Sequence, residues 1–129
     1  MGGNHEASNL LRDLYYGGYV ADNIFFLGYT GVYNIRKGGH TLRIAGISGI
    51  EKSHDARRGY FEEWPYVHRE KNITSMFHIR QFEVAKLSSV MSPVDFVISH
   101  EWPTVATSHR SYQKNVEFQR LLRYKPFFK

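Results

Sequence analysis

The stretch that decides the fold is VYNIRKGGHTLRIAGIS, residues 32–48. Two β-forming runs, Val32–Ile35 and His40–Ser48, flank the glycine-containing segment Arg36–Gly39. Glycines between two such runs are typical of a tight hairpin turn. The stretch therefore predicts a β-hairpin.

Five further elements are predicted around the hairpin. Apolar residues recur at helical spacing over His5–Tyr16, and a glycine pair follows them, so a helix is expected there. Short apolar runs predict buried strands at Ile24–Tyr29 and Val94–Ser99. Another helix is expected around residues 77–89, and a weaker one over Ser111–Lys125. We see no internal repeat and no domain boundary within the chain.

The composition describes a chain of 129 residues, 42% hydrophobic and 16% aromatic, without cysteine. This is enough apolar material for one core. Disulfides and thiolate metal sites are excluded. No apolar run is long enough to span a bilayer, and the start lacks the pattern of a signal peptide. We expect a soluble, intracellular protein without a membrane partner.

The net charge of +5 is unevenly placed. Residues 1–102 contain 11 basic and 11 acidic side chains, whereas residues 103–129 contain 6 basic ones and the single acid Glu117. This basic segment suits contact with phosphates, and equally suits a solvent-exposed helix face. The sequence leaves both readings open.

Residues 49–71 form a long segment without periodicity, rich in basic and aromatic side chains. Long loops of this kind in compact domains are usually functional or disordered, and the aromatics argue against disorder. Arginine with exposed aromatic faces suits single-stranded or irregular RNA. A loop packed down by its own aromatics is the competing interpretation.

Three residues are candidates for chemistry at two places. Asn4 and His5 follow two glycines and precede a helix, where a ligand can approach the backbone closely. His100 stands at the exit of a predicted buried strand, where α/β proteins bind their ligands. Alone, the first pair is typical of helix caps, and a single histidine is more often structural.

Five segments occur in an order that makes these weak signals specific. They are GGNHEASN (2–9), YGGYVADNIFFLGYTGV (16–32), IAGISGIEKSHDARRGYFE (44–62), HIRQFEVAKL (78–87) and VDFVISHEWP (94–103). Together with LLRYKPFF (121–128), they closely resemble the RNA lariat debranching enzymes of the calcineurin-like metallophosphoesterase superfamily. The resemblance runs nearly from end to end.

The resemblance implies an α/β fold, part of a metallophosphoesterase two-sheet sandwich flanked by helices. It implies metal-dependent hydrolysis of the 2′–5′ phosphodiester bond at intron branch points during mRNA processing. By the match of residues 3–6 and 99–100, Asn4 and His100 would be metal ligands and His5 the proton donor to the leaving oxygen. The cofactors would be divalent ions, Mn, Fe or Zn, with two in the full-length enzyme.

The same resemblance implies that residues 49–71 are a lariat recognition loop. The expected partner is branched intron RNA in the nucleus, with spliceosome-associated proteins as further possible partners. Departures from the family pattern occur at Glu51 and Tyr60, where an aromatic residue and a histidine are expected. The expected RNA-contacting side chains are Lys52, His54, Arg57, Arg58, Tyr60, Phe61 and Trp64.

The remaining metal motifs of the superfamily are not in this sequence. An early ligand-x-His motif, a Gly-Asp motif and a late Gly-His-x-His motif would lie outside residues 1–129. We therefore expect residues 1–129 to be a partial metallophosphoesterase domain, the central part of a larger enzyme, that is inactive alone. The alternative is a noncatalytic RNA- or spliceosome-associated protein with the same fold.

Overall fold

A computed structural model describes residues 1–61 and 69–102. The predicted helix at Ser111–Lys125, the basic segment 103–129 and Trp64 lie outside these ranges. The described elements, in chain order, are α1 (Ser8–Asp13), β1 (Gly18–Ala21), β2 (Ile24–Phe26), β3 (Thr30–Lys37), β4 (His40–Ile47), α2 (Arg69–Met76), α3 (Gln81–Ser88) and β5 (Phe96–Ser99). Helices and two small sheets occur together, which confirms the α/β class.

The predicted hairpin is confirmed by β3 and β4. The two strands pair antiparallel from Thr30↔Ile47 to Lys37↔His40. Gly38 and Gly39 form the turn with φ of 58° and 79°, values that side chains other than glycine rarely adopt. The glycine pair therefore fixes the register of the hairpin.

Strand β5 adds to the free edge of β4, and it pairs in the parallel direction from Ile44↔Phe96 to Ile47↔Ser99. A parallel neighbour requires a crossover, which α2 and α3 provide, and α3 packs against β3 and β4. The carboxyl ends of β4 and β5 consequently lie at the same edge of the sheet. The strand at this position was predicted, but the prediction that it is buried was wrong, since Phe96 and Val97 are both 60% exposed.

A second, two-stranded sheet was only half predicted. The expected buried strand over Ile24–Tyr29 ends at Phe26, and it pairs with β1, which the sequence did not indicate. Asn23, with φ of 63°, lies in the turn between these strands. Ile24 is exposed whereas Phe26, on the same face of the strand, is buried, so the strand is covered only toward its end.

The helices also differ from expectation in their bounds. Helix α3 lies within the predicted range 77–89, and α1 is shorter than the predicted His5–Tyr16. Helix α2 was missed, and it begins at Arg69, so the last three residues of the predicted loop 49–71 are helical. Within the described ranges, no helix is long and apolar enough to cross a membrane.

Candidate functional site

The first residues of the chain lie across the carboxyl end of β4. Gly2 donates its N–H to the Ser48 hydroxyl at 3.1 Å, and its carbonyl accepts from the Gly49 N–H at 2.9 Å. The Ser48 hydroxyl in turn donates to the Gly28 carbonyl at 2.7 Å. Backbone contacts of this kind fix where residues 3–5 stand relative to the sheet.

His100 meets this segment from the neighbouring strand. It follows Ser99 at the end of β5, and its imidazole lies directly against the backbone of Gly3. A Cβ built on Gly3 would lie within 3.0 Å of the ring atoms Nε2 and Cδ2. His100 therefore stands beside the residue that precedes Asn4.

Asn4 and His5 follow Gly3 directly, so their backbone lies beside His100 at this edge of the sheet. Asn4 is half-buried, while His5 and His100 are exposed and open to a ligand. The amide oxygen of asparagine and an imidazole nitrogen are both donors that suit Mn, Fe or Zn. These residues fit part of a metal site, although both ligands are neutral and neither can bridge two ions.

A second group of possible ligands was missed by the sequence reasoning. Ligand atoms of His54, Asp55 and His78 all lie within 4.8 Å of one another. The carboxylate of Asp55 is buried and bonds to His78 Nδ1 at 2.7 Å and to the Ser75 hydroxyl at 2.8 Å. A metal-capable group is therefore present within the described part of the chain, and it stands on the loop rather than on the strand ends.

Two arginines also face the Asp55 carboxylate. The guanidinium of Arg80 lies 3.8 Å from it and that of Arg58 lies 3.7 Å away. Arg80 is only 2% exposed, and it donates to the Ser75 hydroxyl at 2.7 Å and to the His78 carbonyl at 3.1 Å. Since the carboxylate is already paired with cations, this group acts first as an anchor that ties the loop to α2 and α3.

The protonation states agree with an anchor of fixed charge. Burial raises the pKa of Asp55, but the hydrogen bonds from His78 and Ser75 and the charge of Arg80 outweigh it, so this pKa is lowered. Burial lowers the pKa of His78, and the bond to Asp55 only partly offsets that effect. At neutral pH the pair is a carboxylate with a neutral imidazole.

The predicted RNA-contacting residues fall into two groups within the described loop. Arg57, Arg58 and Phe61 are exposed, Phe61 by 42%. His54 is exposed but stands edge-on to the His78 ring, and Lys52 is half-buried. Trp64 lies outside the described residues. The exposed residues are available to a ligand, and their contact with RNA remains a prediction.

Tyr60 has the most crowded surroundings of the predicted RNA contacts. Its ring packs against Tyr29 and Tyr15, with centroid distances of 5.2 and 6.0 Å. The guanidinium groups of Arg80 and Arg12 lie 4.5 and 5.1 Å from its centroid. Burial, assisted by the charge of Glu83, raises the pKa of its hydroxyl, which stays neutral. Tyr60 thus belongs to the packed base of the loop.

The anchor group escaped prediction because its members come from three separate segments. The adjacent His54 and Asp55 in the sequence were one available signal. A second signal was the pairing of a histidine and an arginine two residues apart, His78 and Arg80, just before α3. Nothing in the spacing shows that these segments meet.

Comparison of the sequence with known proteins shows which proteins the chain resembles. No protein-family model matches the chain. It is 48% identical to the lariat debranching enzyme of Drosophila melanogaster over 128 residues, 99% of its length. It is 46% identical to that of Homo sapiens and 45% identical to that of Schizosaccharomyces pombe, in each case over 129 residues. By sequence, the chain is similar over its whole length to a part of the lariat debranching enzymes.

The match to lariat debranching enzymes covers the chain but only part of each relative. The chain spans 22% of the Drosophila and human proteins and 25% of the fission-yeast protein. The matched part includes Asn4, His5, His100 and the whole of the predicted recognition loop.

Proposed function

We propose that this chain carries part of the active site of an RNA-debranching phosphodiesterase. The reaction would be metal-dependent hydrolysis of the 2′–5′ phosphodiester bond at the branch point of lariat intron RNA. The observation that supports it is the packing of His100 on Gly3, beside Asn4 and His5, at the carboxyl edge of β4 and β5. The debranching enzymes to which the chain is related are named for this reaction.

Within that site, Asn4 and His100 would hold a divalent ion through an amide oxygen and an imidazole nitrogen. Mn, Fe and Zn all suit this donor set. When bound, such an ion supplies an activated water and neutralises charge on the phosphate. Ligands beyond these two would come from other parts of the enzyme.

His5 is the proposed proton donor. It follows Asn4 directly, and its side chain is exposed at the same edge of the sheet. Histidine is the side chain that most often serves as a general acid, so His5 would give a proton to the leaving 2′ oxygen. Its exposure leaves room for a phosphate to reach it.

The loop would hold the RNA rather than carry out the chemistry. Arg57 and Arg58 would face phosphates, and Phe61 would offer a stacking face. The Glu51 N–H donates to the Glu101 carboxylate at 2.7 Å, which ties the start of the loop next to His100. We place the enzyme in the nucleus, where lariat introns arise, and include spliceosome-associated proteins among its possible partners.

Cleavage of a synthetic branched RNA by the full-length protein tests this function. With Mn²⁺ present, we expect release of the 2′ branch by the wild type and its loss in the His100→Ala variant. His40→Ala is the matched control, because His40 is an exposed histidine at the start of β4, beside the β3–β4 turn. A full-length protein that binds the branched RNA but never cleaves it would instead be the noncatalytic relative.

A further inference from the structure

A cleft of about 460 Å³ lies between the end of α1, the loop and the start of α3. It is separate from the edge where Asn4 and His100 stand. Its walls combine guanidinium groups with aromatic rings, contributed mainly by Arg12, Arg58, Arg80, Tyr16, Tyr60 and Phe82. No carboxylate is among the described residues that line it.

The charge around the cleft is positive. Four cationic side chains surround it, Arg12, Arg58, Arg80 and Lys86, against the two carboxylates of Asp55 and Glu83. Both carboxylates are buried behind the walls, and Glu83 is held by Lys86 at 2.9 Å. Arg80 is buried against Asp55, whereas Arg58 is exposed and Arg12 half-buried, so positive charge reaches the solvent side, where an anion would approach.

The rim of the cleft offers unused aromatic surface. Tyr16 is 91% exposed and Phe82 is 64% exposed, although large aromatic side chains are usually covered. Tyr16 stands edge-on to Tyr15, with 4.8 Å between the ring centroids, and this contact holds the Tyr16 ring in place. Two exposed rings beside arginines are the combination that binds nucleobases with their phosphates.

The walls are held in place by contacts between helices. The Tyr15 hydroxyl donates to the Glu83 carboxylate, and Lys86 donates to the same hydroxyl at 3.2 Å. The guanidinium of Arg12 lies 5.6 Å from the centroid of the Tyr15 ring. The cleft is thus formed before a ligand arrives, which reduces the entropy lost on binding.

We propose that this cleft binds a single-stranded segment of the RNA substrate, one that lies beyond the nucleotides at the reacting phosphate. Arg12 and Arg58 contact its phosphates, and Tyr16 and Phe82 stack on its bases. Helix α1 connects the two places: Asn4 and His5 precede it, Arg12 lies in its last turn and Tyr16 follows its end. At about 1.5 Å per residue the helix is about 9 Å long, so one strand can reach both.

This inference rests on the proposed function, because it assumes that the substrate is branched RNA. It extends the RNA-binding surface to α1 and α3, which belong neither to the loop nor to the metal motifs. It also assigns a preference: a branched RNA with a single-stranded extension should bind more tightly than one trimmed close to the branch.

Fluorescence anisotropy with full-length protein and labelled branched RNA tests the cleft. The test variants are Tyr16→Ala with Phe82→Ala, and Arg12→Gln. The controls are Tyr19→Ala, an exposed tyrosine on β1, and Arg36→Gln, an exposed arginine near the β3–β4 turn. We expect the two test variants to lose about tenfold in affinity or more, with controls within about twofold of wild type. The Arg12→Gln variant should also show a shallower dependence of affinity on salt.

The outcomes distinguish a failure of the cleft proposal from a failure of the proposed function. Unchanged affinity in the cleft variants of a protein that still debranches RNA overturns the cleft and leaves the function standing. Equal affinity of wild type for extended and trimmed branched RNA also overturns the cleft. Competition by an acidic peptide as strong as by RNA would assign the cleft to a protein partner instead. A wild type that binds no RNA overturns both.

Discussion

The imidazole of His100 packs on the backbone of Gly3, leaving no space for a side chain at that position. This contact joins the end of β5 to the residue before Asn4. Because any larger residue at position 3 must displace the ring, the pair links a backbone position to the geometry of the proposed metal ligands. Glycine is required here for close approach rather than for its backbone conformation.

Replacing Gly3 by alanine tests that link. A Cβ at this position would overlap ring atoms Nε2 and Cδ2 of His100, and the exposed ring can turn away. We expect little loss of folding stability but a fall in debranching turnover by about 100-fold, the cost of a small misplacement in an active site. The measurement is single-turnover cleavage by the full-length protein.

A double-mutant cycle provides the control for Gly3→Ala. In a His100→Ala background the added Cβ meets no ring, so Gly3→Ala should have no further effect on the residual rate. Additive losses from the two substitutions would show that Gly3 acts independently of His100.

Changing His5 to alanine should lower turnover much more than RNA affinity. A general acid contributes about 10²–10⁴-fold to a rate, whereas ground-state binding is spread over other contacts. Turnover at saturating RNA and the RNA dissociation constant should be measured for the same full-length variant. His40→Ala controls for the loss of an exposed imidazole. Full turnover in the His5→Ala variant would show that His5 is not the proton donor.

The paired change Arg57→Ala with Arg58→Ala should act in the opposite way. Both side chains are exposed, and the Arg58–Asp55 pair at 3.7 Å contributes little to folding. We expect weaker RNA binding with a flatter salt dependence, and near-normal turnover at saturating RNA. Arg36→Ala with Lys37→Ala removes the same charge from the β3–β4 turn and serves as the control. If the loop pair abolished turnover at saturating RNA, the roles of loop and His5 would be reversed.

Asp55→Asn should destabilise the fold by about 1–3 kcal/mol at neutral pH, since it weakens a buried, charge-assisted network. The direction in which folding stability changes with pH follows from the two pKa shifts. The lowered pKa of Asp55 gives stability that is present above its ordinary value of 3.8 and is lost as pH falls through the folded value. The lowered pKa of His78 makes stability decline on acidification below 6.5, because the unfolded chain takes up the proton first.

Urea unfolding across this pH range measures both effects. Wild-type stability should fall as pH drops below 6.5, and the difference from Asp55→Asn should shrink once pH falls below 3.8. Asp13→Asn, an exposed aspartate in α1, is the control and should follow wild type. A constant difference at every pH would show that the charge of Asp55 is not what stabilises the network.

The 129-residue chain by itself is expected to cleave no branched RNA. Its two proposed metal ligands, Asn4 and His100, are both neutral, and a two-metal site needs a bridging carboxylate and further donors. Incubation of the purified chain with Mn²⁺ and branched RNA is the measurement. Cleavage above background that is abolished by His5→Ala would overturn this expectation.

The sequence by itself determined the local elements and the resemblance to a family. The paired glycines specified the β3–β4 turn because only glycine adopts its backbone conformation readily, and α3 followed from helical spacing. Five ordered segments were enough to predict the similarity to lariat debranching enzymes that the comparisons found. Asn4, His5 and His100 were selected by motif alone, before the packing of His100 on Gly3 was visible.

Tertiary structure decided which of these residues meet. His100 reaches Gly3 only because β5 joins β4 in parallel after a crossover, and such pairing between distant segments leaves no periodic signal in the sequence. The same folding buries Asp55 between His78 and Arg80 and encloses Tyr60 among tyrosines and arginines. Side-chain burial and ion pairing depend on what packs from elsewhere in the chain, so they follow from the fold rather than from residue type.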